Sequence, residues 1–431
     1  MSERARIVEL DKRHAWHPYT PMGRYLAETD PIVVVGASGA RLQEAGGRSL
    51  IDANSSWWSA VLGHGHPRLV AALKEQADRF CHVAFAGITH EPAARLAAEL
   101  VAVAPPGLDR VFYSDDGSTA VEVALKLAVQ YWAQNGRPER RRLVALGGAF
   151  HGETLGAGMV SDIELFRRSY ADLAVDCLRV PPDARGQQRA IDVLVDLVER
   201  QHSEIAAVVL EPVLQGAAGM RVYDPELVRV AREVTLRRDV FLILDEVFTG
   251  YGRTGPMWAA EHARVSPDLF CVAKGFTGGQ LPMAATLASA RIFEGFLGDP
   301  SRAFLHGHTF AGHPLGARVA LEVLAVYRDE DVLARAQPKA RRIAEAFRAL
   351  GALPGITAFR SLGMMGALDL GPPGYLEPLG QRVFVEALRR GAYLRPLGNT
   401  VYVTPPLNIP DQDLEELLGI VDESVRAVIG A

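Results

Sequence analysis

The sequence predicts an α/β fold: a mainly parallel sheet covered by helices, followed by a smaller α+β region. Three observations carry this. Between positions 109 and 274, short apolar runs alternate with amphipathic helical segments, the pattern of parallel strands joined by crossover helices. Some runs are apolar without alternation, as in Val240–Leu244, which is how a strand buried on both faces reads. The same runs stop abruptly at ionisable residues: Glu211 after Ile205–Leu210, Asp245-Glu246 after Val240–Leu244, and Lys274 after Leu269–Ala273. The carboxyl edge of a parallel sheet is where α/β proteins assemble their sites.

Composition narrows the class. With 431 residues, 48% of them hydrophobic and 23% charged, the chain has enough apolar mass for a large core. A net charge of −5 supplies no electrostatic reason to bind nucleic acid or a membrane surface. Cys81, Cys177 and Cys271 are scattered, without metal spacing, so neither a disulfide framework nor a structural zinc site is expected. The opening MSERARIVELDKRHAWH has no apolar signal core and no run is long enough to span a bilayer, so a cytoplasmic enzyme is the expectation.

Taken in order, residues 1–60 read as irregular apart from a short hairpin around Ile32–Gly46. Trp57 and Trp58, adjacent in a polar stretch, are either core plugs or, with the Tyr19 hydroxyl, an aromatic wall for a ligand. Helical spacing begins at Pro67 and continues through THEPAARLAAELVAVAP. Val111–Tyr113 reads as a strand, Ser114–Thr119 as a turn and Ala120–Gln134 as a helix. Gly117, Ser118 and Thr119 at that helix start would cradle a phosphate or simply cap the helix.

The strand Arg142–Leu146 leads into a glycine-rich loop with Phe150 and His151. There an aromatic ring could stack on a flat cofactor, the alternative being a core Phe beside a surface His. Helix Pro225–Arg238 feeds the run at Val240, and PMAATLAS after Lys274 is a further strand. The three histidines of His306–Pro314 invite a metal reading that the lack of a nearby acidic ligand argues against; Thr309 there could meet a phosphate. Helix Leu315–Arg328 leads to the final region: helix Val332–Leu350, strands around Gly363–Leu370, helix Gly380–Arg390, strand Ala392–Arg395, a hairpin-like Tyr402–Pro406 and helix Asp411–Val428. Arg395 is either a bidentate partner for a substrate carboxylate or a surface arginine. The expected domains are a large one over 61–328 and a small one over 329–431, which the segment 1–60 joins.

An acid and an amine delivered to one sheet edge fit a pyridoxal phosphate (PLP) site. A lysine amine forms a Schiff base with the cofactor aldehyde, and a carboxylate facing the pyridine nitrogen keeps the ring an electron acceptor. Alone, Asp245-Glu246 would be a strand-end cap and Lys274 a solvated loop lysine. With SDDGSTAVEVALK, DEVFTGYGRTG and PDLFCVAKGFTGG in that order, most of the chain resembles the fold-type I, class III PLP-dependent aminotransferases. WHPYTPM, SSWWSAVLGHGHP, GITHEP, AFHGET, HGHTFAGHP and LRPLGNTVYVTPP are similar to the biotin-pathway branch of that class. That branch converts 8-amino-7-oxononanoate to 7,8-diaminononanoate, with S-adenosylmethionine as amino donor.

The resemblance implies a mainly parallel seven-stranded sheet flanked by helices, a smaller α+β domain, and a homodimer with its active site at the subunit interface. It also implies roles. Lys274 would be the Schiff-base lysine and general base, and Asp245 the partner of the pyridine nitrogen. Gly117, Ser118 and, from the other subunit, Thr309 would bind the phosphate, and Phe150 would stack on the ring. Tyr19, Trp57, Trp58, Arg253, Gly307 and Arg395 would line the substrate site. Two departures stand out. Phe150 occupies a position that is often Tyr, and GGQLPMAATLA with HGHTFAG also resembles variants that use lysine as donor, although SSWW favours S-adenosylmethionine. The rival within the class is an ω-aminotransferase acting on amines and pyruvate. A nucleotide-binding dehydrogenase is disfavoured because no GxGxxG follows an early strand.

Overall fold

Seven apolar segments meet in one sheet of the computed structural model, which describes residues 1–173, 176–181, 187–372 and 374–430. They are β1 (Leu108–Ser114), β2 (Arg142–Leu146), β3 (Cys177–Val180), β4 (Ile205–Leu210), β5 (Phe241–Asp245), β6 (Leu269–Val272) and β7 (Ala284–Ser289), in the spatial order β1-β7-β6-β5-β4-β2-β3. Only β7 runs against its neighbours, β6 and β1; every other pairing is parallel. β4, β5 and β6 are buried at every residue, which accounts for their unbroken apolar sequences. The register sets Leu244 opposite Leu210 and Asp245 opposite Cys271, so the chain leaves β4, β5 and β6 along one edge.

Alternate residues of these strands enter two cores. Phe241 and Ile243 pack with the helix Gly117–Gln134, whereas Leu242 and Leu244 pack with Leu194, Leu227 and Val228 from the helices Gln187–Gln201 and Pro225–Arg237. The helix Gly117–Gln134 starts at a capping box: the Asp116 carboxylate accepts from Thr119 N, and the Thr119 hydroxyl accepts from Asp116 N. Its far end is pinned where Trp132 Nε1 donates to Ala206 O at 2.9 Å.

Besides a two-stranded pair, Leu214–Gln215 with Arg221–Val222, two smaller sheets flank this one. Ile356–Leu362, Met365–Leu370 and Thr400–Val403 form an antiparallel sheet against the helix Val332–Gly351. Val34–Ser38, Arg41–Glu44 and Ser49–Asp52 form the other, completed by Ala392–Tyr393 in parallel, with Asp52 opposite Tyr393. Among the described residues no helix is long and apolar enough to cross a membrane.

The structure differs from expectation in four places. Residues 1–60 are not irregular: Glu3–His14, capped by Ser2, and Met22–Glu28 are helices. The first is highly charged and buries only Val8, so it lacks the apolar stripe by which a helix is read. β3 and the helix Gln187–Gln201 were not anticipated. Tyr402–Pro406 is no hairpin; Thr400–Val403 pairs with the distant Met365–Leu370, and the local turn lies before it, with Leu397 bridged to Thr400.

The sheet's interior position makes a stability prediction. Leu242→Ala opens a cavity at a fully buried site between two paired strands. It should lower unfolding free energy by about 2–5 kcal/mol, read from chemical denaturation; a change within experimental error would mean the core repacks around the gap.

Candidate active site

The edge where β2, β4, β5 and β6 end gathers four ionisable groups. Asp245, the last residue of β5, is 4% exposed, and its Oδ2 lies 2.8 Å from His151 Nδ1, at which distance the ring N–H donates to the carboxylate. Its Oδ1 accepts from Val247 N at 3.1 Å. The His151 side chain is fully enclosed, and its Nε2 has no partner among the described residues. Glu211, after β4, accepts from Phe150 N and Gly216 N, both at 3.1 Å. Burial raises its pKa to about 7.

Lys274 completes the group from the end of β6. Its φ of 50° lies in the left-handed region, a strain that non-glycine residues sustain chiefly where the surroundings enforce it. Its Nζ sits 4.8 Å from the Trp58 ring centre and 5.9 Å from that of Phe248. Desolvation pushes the amine pKa down to about 8, against Asp245 and Glu211, which favour the charged form. Glu246 serves the scaffold instead: fully buried, it accepts from Ala259 N and Ala260 N, both at 2.7 Å, and burial raises its pKa to about 8.

Around this edge lie the remaining expected residues. Gly117 and Ser118 open the helix Gly117–Gln134, and among the described residues neither backbone N–H meets an acceptor. A side chain at Gly117 would bring its Cβ within 2.5 Å of Val247 Cγ1, so only glycine lets the helix start approach the end of β5. Ser118 Oγ accepts from Glu153 N at 3.1 Å. The Phe150 ring is half-buried, 6.1 Å from Phe166, and both border a cavity of about 260 Å³.

Tyr19 donates its hydroxyl to Glu153 and meets the rings of Trp57 and Phe166 at 5.4 and 5.3 Å. Trp57 is 39% exposed and carries the Arg395 guanidinium 3.8 Å above its ring. Trp58 is buried, on Phe248, with its Nε1 donating to Tyr402 Oη at 3.2 Å. One of the two tryptophans is therefore core and one is wall. Arg395 has no carboxylate within ion-pair distance among the described residues.

Arg253 does not line the open site. It is 1% exposed, its Nη1 donates to Met364 O and Pro405 O at 3.0 and 2.9 Å, and burial lowers its pKa to about 10. Through that one nitrogen the arginine ties the segment after β5 to the residues flanking the C-terminal sheet. Gly307 and Thr309 lie on an exposed loop, with no hydrogen bond to the groups above; their neighbour His308 sits 3.2 Å from Asp115. Among the described residues no cluster of His, Cys, Asp or Glu has metal-holding geometry.

In the sequence His151 reads as a loop residue beside a ring or as a surface histidine, and no local pattern marks Glu153, Phe166 or Phe248. His151 and Asp245 are 94 positions apart, and Tyr19 and Glu153 134 apart, so no local pattern could pair them.

The arrangement suits PLP on observations of this chain: among the described residues, N–H groups without acceptors at a helix start for a phosphate, a buried carboxylate oriented by a histidine, and a lysine without a hydrogen-bond partner beside two rings. Comparison with known proteins agrees. The profile of the aminotransferase class-III family matches residues 25–425. The adenosylmethionine-8-amino-7-oxononanoate aminotransferase of Nitratidesulfovibrio vulgaris is 40% identical, over 99% of this chain and 83% of that protein. The protein of that name from Synechococcus elongatus is 40% identical over 95% and 97% of the two chains. The crystal structure of the Methanocaldococcus jannaschii protein of that name superposes with a TM-score of 0.95 at 33% identity, covering 99% of each chain. A PLP-bound amine transaminase from an uncultivated Pseudomonas species superposes at 0.90 with 29% identity, over 96% and 98%.

The two buried acids imply a pH dependence. A carboxyl whose folded pKa is raised stabilises the fold fully below its unfolded value and loses that contribution as pH climbs to the folded value. For Glu211 and Glu246 the window runs from 4.5 to about 7 and about 8. The cofactor-free protein should therefore lose thermal stability across that window, and Glu246→Gln should flatten its upper part. A wild-type minus Glu246→Gln difference that is constant with pH would show that Glu246 titrates as it does in water.

Proposed function

The chain belongs to the class III aminotransferases, and from that premise we propose that it is the PLP-dependent enzyme that transfers an amino group from S-adenosylmethionine to 8-amino-7-oxononanoate, giving 7,8-diaminononanoate. The observation that carries the acceptor is Arg395: a guanidinium stacked on Trp57, with no carboxylate at ion-pair distance among the described residues, is suited to a substrate's carboxylate. Tyr19, Trp57 and Phe166, with the exposed Glu153, form an aromatic and acidic wall that suits a donor with a planar ring and a cationic centre, such as S-adenosylmethionine. The names of the relatives support the same pair of substrates.

When bound, PLP supplies an electron sink for the negative charge that develops at the substrate carbon. Gly117 and Ser118 would hold its phosphate and Phe150 its ring face. Asp245 would hold a proton at the pyridine nitrogen, with His151 fixing the orientation of the carboxylate. Lys274 Nζ, whose pKa is lowered to about 8 so that a sizeable fraction is neutral near that pH, takes the proton from the donor carbon as a general base. The Trp58 and Phe248 rings flank that amine.

The assembly we propose is a homodimer in which Gly307 and Thr309 reach the partner's site. The near-complete exposure of Leu305, beside that loop in the chain, supports a covered face there. The three free cysteines support a cytoplasmic setting.

Purified protein should absorb visible light through bound PLP, lose that band on borohydride reduction, and transaminate the oxo acid with S-adenosylmethionine in preference to lysine. A colourless protein that cannot be reconstituted, or one that prefers simple amines and pyruvate, would overturn the reading. Lys274→Ala should abolish turnover, and Asp245→Asn should lower kcat by roughly 100-fold or more. Arg395→Ala should raise KM for the oxo acid by roughly 10–100-fold with kcat much less affected; an unchanged KM would remove Arg395 from the carboxylate site.

A further inference from the structure

Ser55, Ser56, Trp57 and Trp58 form one turn of left-handed helix, with φ of 48°, 44°, 62° and 74°. Residues with a Cβ enter this region singly rather than in runs, because the Cβ crowds the following carbonyl. Four in succession persist only where their surroundings over-determine them. Backbone bonds close the turn, with Trp58 N donating to Asn54 O at 2.7 Å and Ser59 N to Ser55 O at 3.0 Å.

The group that enforces the turn is Asp52, whose side chain is fully buried. Its Oδ1 accepts from Asn54 N at 3.2 Å. Its Oδ2 accepts from Ser56 N at 2.6 Å and Ser56 Oγ at 2.8 Å, and lies 2.9 Å from His64 Nε2. Ser55 Oγ donates to Thr404 O at 2.7 Å and anchors the turn to the opposite side. A buried carboxylate that accepts this many donors holds backbone as well as side chain.

The turn points its two indoles in opposite directions: Trp57 outward beneath Arg395, and Trp58 inward against Lys274. Right-handed dihedrals at these positions would swing both rings off those contacts. The strand that ends in Asp52 also pairs with Ala392–Tyr393, so Asp52 lies opposite Tyr393, just before Arg395. Ala53 N donates to Tyr393 O at 3.1 Å. One strand pair therefore positions both the arginine and the ring beneath it.

We propose that Asp52, braced by His64, is a positioning residue for the substrate site: it touches no substrate but holds the left-handed turn that presents Trp57 to Arg395 and Trp58 to Lys274. The inference rests on the reading of Arg395 as the partner of a substrate carboxylate.

The test uses PLP-loaded enzyme. Asp52→Asn places an amide donor among donors and removes the charge that gathers them. It should raise KM for 8-amino-7-oxononanoate about tenfold and change kcat by less than about threefold. The bound cofactor's visible absorption should remain, and the near-ultraviolet circular dichroism of the tryptophans should change. Glycine accepts a left-handed φ without strain. Adding Ser56→Gly to Asp52→Asn should therefore restore most of the KM and the dichroism, which a general loss of stability would not do. Unchanged KM and dichroism in Asp52→Asn, or a KM defect that Ser56→Gly leaves in place, would overturn the proposal.

If Asp52→Asn does not accumulate as folded holoenzyme, the double variant decides. Its recovery with near-wild-type KM supports the proposal, and its failure to fold sinks it. Wild-type enzyme that does not turn over the oxo acid refutes the functional reading instead, and the dichroism of the variants then decides the role of Asp52 by itself.

Discussion

The pairing of Asp245 with His151 inside the protein is the constraint on which the rest of the site depends. A carboxylate taken out of water costs several kcal/mol unless donors compensate it. Here the compensation comes from a loop after β2, while the acid ends β5, and β4 lies between them in the sheet. The pair forms only if all three strands are parallel and in register. Glu211, delivered by β4 into the same dry region, meets the constraint differently: burial raises its pKa so that it sheds its charge more readily than a surface glutamate. Carboxylates of neighbouring strands are thus handled in two ways, one by a histidine partner and one by a shift toward the protonated form.

Lys274 follows from the same dryness. The Trp58 and Phe248 rings favour a cation over their faces, as do Asp245 and Glu211 through charge. Desolvation outweighs both, and the amine ends with a pKa of about 8. A lysine in this state is charged or neutral within a unit of ordinary cellular pH, which a proton carrier requires. The strained φ at this residue shows that the backbone, too, is held for the sake of where the amine points.

The small sheets couple this edge to distant parts of the chain. Arg253 reaches from the segment after β5 to Met364 O and Pro405 O, and Asp52 joins the turn at Ser55–Trp58 to the strand before Arg395. The turn at Ser55–Trp58 and the edge that carries Asp245 and Lys274 are therefore built on one continuous framework. Such a framework is suited to groups that must hold position to within a fraction of an ångström.

Much of this was legible in the sequence because it is local. The unbroken apolar runs of β4, β5 and β6 report burial on both faces, and the ionisable residues at their ends report the active edge. Gly117-Ser118-Thr119 marks a helix start whatever it binds. What sequence could not supply was pairing across the chain. It could not tell which of Trp57 and Trp58 is buried, because the answer is a left-handed turn enforced by Asp52. Nor could it show that Arg253 is enclosed while Arg395 stacks on Trp57 with no ion-pair partner among the described residues, because both are arginines near glycine and proline and differ only in what packs around them. The residue types at each strand end were determined by the sequence alone. Their company was decided by the tertiary structure, because the burial and hydrogen bonds that set protonation and orientation come largely from residues tens of positions away, as with His151 and Asp245 or Phe150 and Glu211.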